Sequence, residues 1–354
     1  MNELPKRIRI KDIARMARIS VGTVDRVIHN RSGVSKKSRK RVEDILKKLD
    51  YQPNIYASAL ASNKKYAFAC LLPQHLDGEY WTAVEAGINE AVKTYSDFNA
   101  SVSFSFYDPY DYHSFLEMGD KLLNDGPVGI ILAPTTPEYS KPFINRLIEK
   151  AIPYIYIDSL LKELPPLAFF GQNPGQSGYF AARIMMMMAR ENKEIAIFRM
   201  IHQGIVGSNQ QENRELGFRQ YMKEHHPDCK IWELDLHSNQ PDTNNRTLDN
   251  FFKQHPLLSD CITFNSKVYI MGKYLRTHKM DNFHLIGYDL LKQNVDCLKD
   301  GSVSFLIAQQ PELQGYNAIK ALCDHLIFKK EINRINYMPI DLLTKETIDY
   351  YHNK

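Results

Sequence analysis

The chain has 354 residues, 44% of them hydrophobic, and a formal net charge of +4. That length supports two domains with their own cores; no apolar run approaches the roughly 18 uninterrupted residues of a membrane span. Five scattered cysteines (Cys70, Cys229, Cys261, Cys297 and Cys323) make no close pair. They read as reduced core thiols, against a disulfide framework or a zinc site. The first nine residues lack the apolar core of a secretory signal, so the expectation is a cytoplasmic protein without membrane contact.

The charge is unevenly placed. Residues 1–65 carry 17 Lys/Arg against 6 Asp/Glu, a balance of +11, whereas the other 289 carry 28 against 35, a balance of −7. A basic head on an acidic body fits a polyanion-binding module attached to a different domain. A merely solvated basic surface would show the same numbers, so the pattern of residues has to decide.

In the head, Ile10, Ile13, Ala14 and Ala17 recur at helical spacing. Ser20 is placed to cap a second helix running to about His29, with Val24 and Val27 facing inward. Ser35 is placed to cap a third, running to about Leu49, with Val42, Ile45, Leu46 and Leu49 as its apolar stripe. Two short helices joined by a tight turn and braced by a third make a helix-turn-helix, and its second helix suits a major groove. Val21, Gly22, Asp25, Arg26 and His29 are the expected exposed positions on it. Pro53 then stops the helical pattern. Residues 55–62 follow, Ala-rich but shorter than the roughly 12 residues an isolated helix needs. They are expected to order only against DNA or a partner, with Leu60 exposed as a wedge for the minor groove. An ordinary Ala-rich linker is the other reading of that segment.

Asp12-Ile13-Ala14, Ser20-Val21-x-Thr23-Val24-x-Arg26-Val27, Val34-Ser35, Arg39-x-x-Val42, Leu49-x-Tyr51-x-Pro53-Asn54 and Ala57-x-x-Leu60-Ala61 together resemble the DNA-binding head and hinge of the LacI family. The resemblance is dense over about 55 residues. It implies a homodimer on a roughly palindromic double-stranded operator, recognition helices in the major groove and paired Leu60 side chains at the centre. The DNA-contacting set is then Ser20, Val21, Gly22, Thr23, Arg26, His29, Ser35, Lys36, Asn54, Ala57 and Leu60. Two positions depart from the family pattern. Arg18 stands where a turn glycine is usual. Val21 and Gly22 offer no polar reader, so hydrogen-bonded base readout falls on Arg26, with His29 and Asp25 behind it.

After Lys65 the pattern changes. Apolar runs at 66–72, 101–107, 128–133, 154–157, 195–200, 261–264 and 285–288 alternate with helical stretches such as 80–95, 137–150, 175–190 and 211–225. Such alternation predicts parallel sheets covered by helices; about 290 residues suffice for two doubly wound lobes facing across a cleft. The expected division is a head over 1–53, a hinge over 54–64 and a body over 65–354. Within the body, the lobe boundary is expected near 160–170 and a return to the first lobe near 300–330. Ligands of such sheets sit off the carboxyl ends of the strands. There the chain places Tyr80 and Trp81, Asp158, Arg214, Asn265, Asp289 and Gln309, with Asn173 as a lesser candidate. Aromatic faces with carboxylates, amides and a guanidinium are sugar-recognition chemistry. Asp158 and Asp289 would also suit helix caps, Trp81 a core position and Arg214 a surface ion pair.

The resemblance extends into this body through Gln211-x-x-Arg214-x-x-Gly217-Phe218, Ile286-Gly287-Tyr288-Asp289 and Ala308-Gln309-x-Pro311-x-x-x-Gly315. These segments are similar to those of LacI effector domains and periplasmic sugar-binding proteins, which implies a type I periplasmic-binding-protein fold and a sugar-like effector. Three function classes are weighed: an effector-controlled regulator, an enzyme of doubly wound fold with an appended DNA-binding head, and a transport binding protein. No Gly-x-Ser-x-Gly, P-loop or dinucleotide glycine motif supports the enzyme. The basic head argues against transport. No cofactor or metal is expected, since the twelve histidines form no ligand cluster, and residues 185–188, four methionines, are expected to lie in a helix packed on both sides. No leucine heptad follows Lys330, so a dimer is expected in preference to a tetramer. The reading is a regulator, in the repressor sense, controlled by a sugar or sugar derivative.

Overall fold

The computed structural model describes residues 8–28, 30–51, 55–189, 194–202, 205–206, 209–237 and 239–351. The chain divides into two compact units, 1–63 and 64–354.

The first unit is helical: α1 (Ile10–Ala17), α2 (Val21–Ile28), α3 (Lys36–Lys48) and α4 (Ile55–Leu60). Ile13, Ala14, Ala17, Val24, Val27 and Val42 are its buried core, the residues whose spacing predicted the helices. The turn between α1 and α2 is closed by Arg18 in the left-handed region at φ 53°, its N–H on the Ala14 and Arg15 carbonyls. A side chain is therefore accommodated where glycine would be easiest. Ser20 Oγ accepts from the Thr23 N–H at 3.2 Å, and Ser35 Oγ accepts from the Ser38 N–H at 3.2 Å, so both serines cap as their positions demand. Arg39 fixes the loop between α2 and α3 by donating to Asn30 Oδ1 and to the Arg31 carbonyl. One expectation is corrected: α4 is already a six-residue helix in the isolated chain. Ala57, Ala59 and Leu60 are strong helix formers, and the helix forms although it buries none of its residues.

The second unit opens with β1 (Tyr66–Pro73), α5 (Tyr80–Thr94), β2 (Ala100–Tyr107), α6 (Tyr112–Asn124), β3 (Gly129–Leu132), α7 (Pro137–Glu149), β4 (Tyr154–Ile157) and β5 (Ala168–Gly171). It continues through α8 (Pro174–Met188), β6 (Glu194–His202), β7 (Ile205–Val206), α9 (Asn209–His225), β8 (Lys230–His237), α10 (Pro241–Gln254) and β9 (Asp260–Thr263). It closes with α11 (Tyr269–Thr277), β10 (His284–Tyr288), α12 (Lys292–Asp300), β11 (Phe305–Ala308), α13 (Pro311–Leu326), β12 (Ile335–Tyr337) and β13 (Asp341–Leu343). All seven apolar runs read as strands form strands.

Two sheets result. The first lobe has the order β12-β5-β4-β3-β1-β2, parallel throughout. The second has β13-β11-β10-β9-β6-β7, with β8 also paired to β6; β7 and β13 run antiparallel. Strands β3 and β4 are buried along their whole length, as parallel strands covered on both faces must be. No helix among the described residues is long and apolar enough to cross a membrane.

The chain passes between the lobes at 172–173, 309–310 and 338–340. The first crossing falls later than the expected 160–170, because 168–171 adds one more short strand to the first lobe. The third crossing was not anticipated at all. Gln172 ties the three together: its side-chain amide donates to the Ala308 carbonyl at 2.7 Å and to the Pro339 carbonyl at 2.6 Å. A further correction concerns the methionine run. Met185 is buried, but Met187 is 76% exposed, so α8 has one solvent face and is not packed on both sides.

Candidate functional site

On the head, α2 presents Val21, Gly22 and Arg26 to solvent. A Cβ at Gly22 would meet nothing within 4 Å, so this face is open. Thr23 is engaged with Ser20 through both its N–H and its hydroxyl. Asp25, read as a lesser base contact, is drawn instead into an ion pair with Arg31 at 3.2 Å. Ser35 and Lys36 are exposed at the start of α3, as are Ala57 and Leu60 on α4. His29 and Asn54 lie outside the described residues.

In the body, the strand-end residues converge. Arg214, three residues before Gly217 on α9, is only 3% exposed. It is buried because α8 and α9 pack backbone to backbone. A Cβ on Gly178 would sit 1.8 Å from the Arg214 carbonyl, and one on Gly217 2.0 Å from that of Gly175. The guanidinium lies over the Tyr288 ring at 4.2 Å, donates from Nη1 to the Phe264 carbonyl at 2.8 Å and from Nη2 to Gln309 Oε1. Gln309 in turn donates to Asp289 Oδ1 at 2.6 Å. A buried row Arg214–Gln309–Asp289 follows, the surface-ion-pair reading of Arg214 being excluded by its burial.

Asp158 and Asp289 do not cap helices. Each follows a strand and adopts the left-handed region, at φ 63° and 70°, a conformation Asp tolerates better than most side chains and one that collects at functional sites. Burial pushes both carboxyls above the usual aspartate range, Asp289 to about 6, while Arg214 pulls the other way. Tyr80, 8% exposed, points its hydroxyl towards the same acids. That hydroxyl makes no hydrogen bond of good geometry, and neither do Arg214 Nε, Asn265 Nδ2 or Gln210 Oε1, all buried. The side chain of Asn265 is otherwise used to accept from the Lys267 N–H at 2.8 Å.

Trp81 meets Tyr80 edge-on at 5.1 Å and is partly buried. Asn173 is a helix cap, accepting from the Gln176 N–H at 3.1 Å, and does not join the cluster. Three participants carried no signal in the sequence. Gln210 donates to the Asp158 carbonyl. Gln314 accepts from the Asp158 N–H at 3.2 Å and donates to the Gln309 carbonyl at 2.9 Å. Asn294 donates to the carbonyls of Tyr288 and Asp289.

The lobes are closed on one another. Lys267 of the second lobe reaches Glu79 of the first at 3.4 Å. Asn209 donates to the Thr135 carbonyl at 3.2 Å, and the Tyr110 and His202 rings stack at 4.1 Å. Among the described residues no group of three or more His, Cys, Asp or Glu side chains is arranged to hold a metal.

Residues 9–54 match the family of bacterial regulatory proteins of the lacI type, and residues 68–330 match the periplasmic binding protein domain. A crystal structure assigned as a LacI transcriptional regulator from Bacteroides fragilis is 63% identical, with a TM-score of 0.79 over 82% of this chain and all of that one. A glucose-galactose binding protein from Geobacillus stearothermophilus shares the fold at 20% identity, TM-score 0.68, over 80% of this chain and 99% of that one. Catabolite control protein A of Staphylococcus xylosus is 31% identical over 140 residues, which cover 39% of this chain and 41% of that protein's length. The chain belongs to the LacI family of bacterial regulatory proteins: it is a DNA-binding regulator with a body like that of the sugar-binding proteins, not an enzyme.

Proposed function

We propose that this protein is a cytoplasmic repressor that binds a roughly palindromic operator as a homodimer, and that a sugar or sugar derivative in the cleft sets its grip. The observation that carries the effector reading is the buried row Arg214–Gln309–Asp289, with Asp158 opposite and three buried polar atoms around it, Arg214 Nε, Asn265 Nδ2 and Gln210 Oε1, without a hydrogen bond of good geometry. Buried polar groups in native proteins are almost always satisfied. Vicinal hydroxyls, each both donor and acceptor, match this set: carboxylates accept, the guanidinium and the Asn265 amide donate, and the rings of Tyr80 and Trp81 offer apolar faces. On the head, the resemblance assigns Ser20, Val21, Gly22, Thr23, Arg26, Ser35, Lys36, Ala57 and Leu60 to the DNA, together with His29 and Asn54.

The two lobes supply the coupling. A ligand that binds across the cleft favours the closed arrangement, and any change in operator affinity must equal its differential affinity for the two arrangements. The test uses the full chain. An operator is selected from random duplex DNA by the protein itself, and its affinity is measured with and without sugars, sugar acids and polyols that raise the melting temperature. A ligand that shifts both melting and operator affinity supports the reading. Operator binding indifferent to every ligand that stabilises the body would sink it.

A further inference from the structure

A cavity of about 240 Å³ opens beside the Arg214 row. It shares Tyr80, Asp289 and Gln309 with that row, but Asp158, Arg214 and Asn265 are not among its walls. On one side run Gly78 and the start of α5; on the other, the loop after β10 with Leu290 and Leu291 and the crossing at Gln310. The space is many times what one water needs, roughly 10–15 Å³, and falls just short of typical small-molecule pockets, roughly 300–1,000 Å³. It therefore suits one ring-sized group and not a whole ligand.

The sequence keeps this space open. Beyond Tyr80, the α5 side chains that face it are the small Thr82, Ala83 and Ala86, and a Cβ on Gly78, at φ 80°, would meet nothing within 4 Å. The Tyr80 hydroxyl, on a side chain more than nine-tenths buried, stands at the junction with the Arg214 row, close to Asp158 and Gln314 but without a hydrogen bond of good geometry. The charged side chains that line the cavity are Glu79, Asp289 and Glu312; Glu79 is paired with Lys267 outside the wall, and the other two leave the lining acidic.

We infer that the effector is larger than a monosaccharide: one ring binds at Arg214, Asp158 and Asp289, and a second, uncharged sugar unit extends into the cavity between α5 and the 289–291 and 309–312 loops. This rests on the effector reading above and deepens it. Carboxylate walls accept hydroxyl hydrogens and repel phosphate or uronate groups, so the second unit is neutral.

The experiment is calorimetry on the full chain with neutral hexoses and pentoses, their neutral disaccharides, and disaccharides carrying a 6-phosphate or a uronic acid. At least one neutral disaccharide is expected to bind tenfold or more tighter than either component, and its acidic counterpart at least tenfold weaker. Ala83→Leu, which fills the cavity, should bring disaccharide affinity down to the monosaccharide level and leave monosaccharide affinity unchanged. Ala86→Leu, on the more exposed edge of the same wall, should act in the same direction. Retained monosaccharide binding shows that each variant is folded. The inference is overturned if every disaccharide binds no tighter than its components, or if both variants leave disaccharide affinity untouched. Loss of monosaccharide binding in Asp158→Ala, a residue of the Arg214 site that does not line the cavity, shows that the Arg214 site holds whichever way the cavity test falls. If no sugar binds the wild type, the effector reading itself fails.

Discussion

The side-chain amide of Gln172 donates to the carbonyl of Ala308 at 2.7 Å, joining the first crossing between the lobes to the second. The same nitrogen also reaches the Pro339 carbonyl in the third crossing, and the Ser177 hydroxyl donates to Gln172 Oε1 at 3.4 Å. Gln172 is fully buried. Removing it strands the Ala308 carbonyl without its partner in the interior, which costs roughly 1–3 kcal/mol. Gln172→Ala should lower stability by about that amount in urea denaturation. It should also alter ligand-driven closure, since the three crossings must move together. An unchanged denaturation midpoint would show that the backbone alone holds the crossings.

The raised carboxyl of Asp289 gives a pH signature with two opposed trends. Its folded value is pushed up to about 6 by burial, from an ordinary value of 3.8. Between those values the folded protein keeps a proton that the unfolded chain has lost, so this group's contribution to stability is fully present below 3.8 and is lost as pH rises through 6. Asp158 shifts in the same direction. Ligand hydroxyls donate to the ionised form, so sugar affinity should fall as pH drops below 6. Melting of wild type minus Asp289→Asn, from pH 4.5 to 8, should show the ligand-free difference favouring wild type increasingly towards acid. The ligand-induced shift should shrink over the same range. Equal slopes for the two proteins would assign the pH dependence to other groups.

What could be read from the sequence was what is local. Ser20 and Ser35 announce their helices because a cap is a contact three residues long. Asp158 and Asp289 are visible because each stands directly after a β-branched or aromatic run. Gln172, Gln210 and Gln314 were not visible. Their partners are 136 and 167, 52, and 156 residues away, respectively, and no periodicity encodes such a meeting. β5, β12 and β13 are three or four residues long, too short for alternation to declare itself. The Met185–Met188 run misled for a related reason: four apolar residues cover a full helical turn, and one of them must face away from a one-sided core.

The reading of α2 separates Arg26 from Lys36. Both are exposed, but Arg26 lies on α2, the second helix of the helix-turn-helix, and Lys36 at the start of α3. If Arg26 is bidentate to a guanine, Arg26→Ala should cost roughly 1–3 kcal/mol and relax preference at one position in each half-site. Lys36→Ala should weaken selected and random duplexes alike and flatten the salt dependence, as loss of one phosphate contact does. The measurement is affinity for the selected operator, single-base variants of it and unrelated duplex, at several salt concentrations. A uniform loss from Arg26→Ala would place Arg26 on phosphate and leave base readout to other side chains.

Leu60 tests whether α4 is a hinge or a linker. It is 53% exposed, on a helix that buries nothing, an arrangement without benefit to the head by itself. Wedged into a base step, a leucine offsets part of the unstacking cost and supports the kink in the duplex. Fully burying such a side chain contributes roughly 1.5–3 kcal/mol, so Leu60→Ala should weaken operator binding by about tenfold or more. Melting shifts with an effector should stay at their wild-type size, because Leu60 and the Arg214 row belong to different units of the chain. Asp289→Ala should do the opposite, preserving operator affinity without ligand and abolishing the response to it. Operator affinity of wild type, Leu60→Ala and Asp289→Ala, each with and without a saturating stabilising sugar, reads both halves at once. Normal operator binding by Leu60→Ala would make residues 55–60 an ordinary connector, and a wild-type response in Asp289→Ala would move the effector away from the Arg214 row.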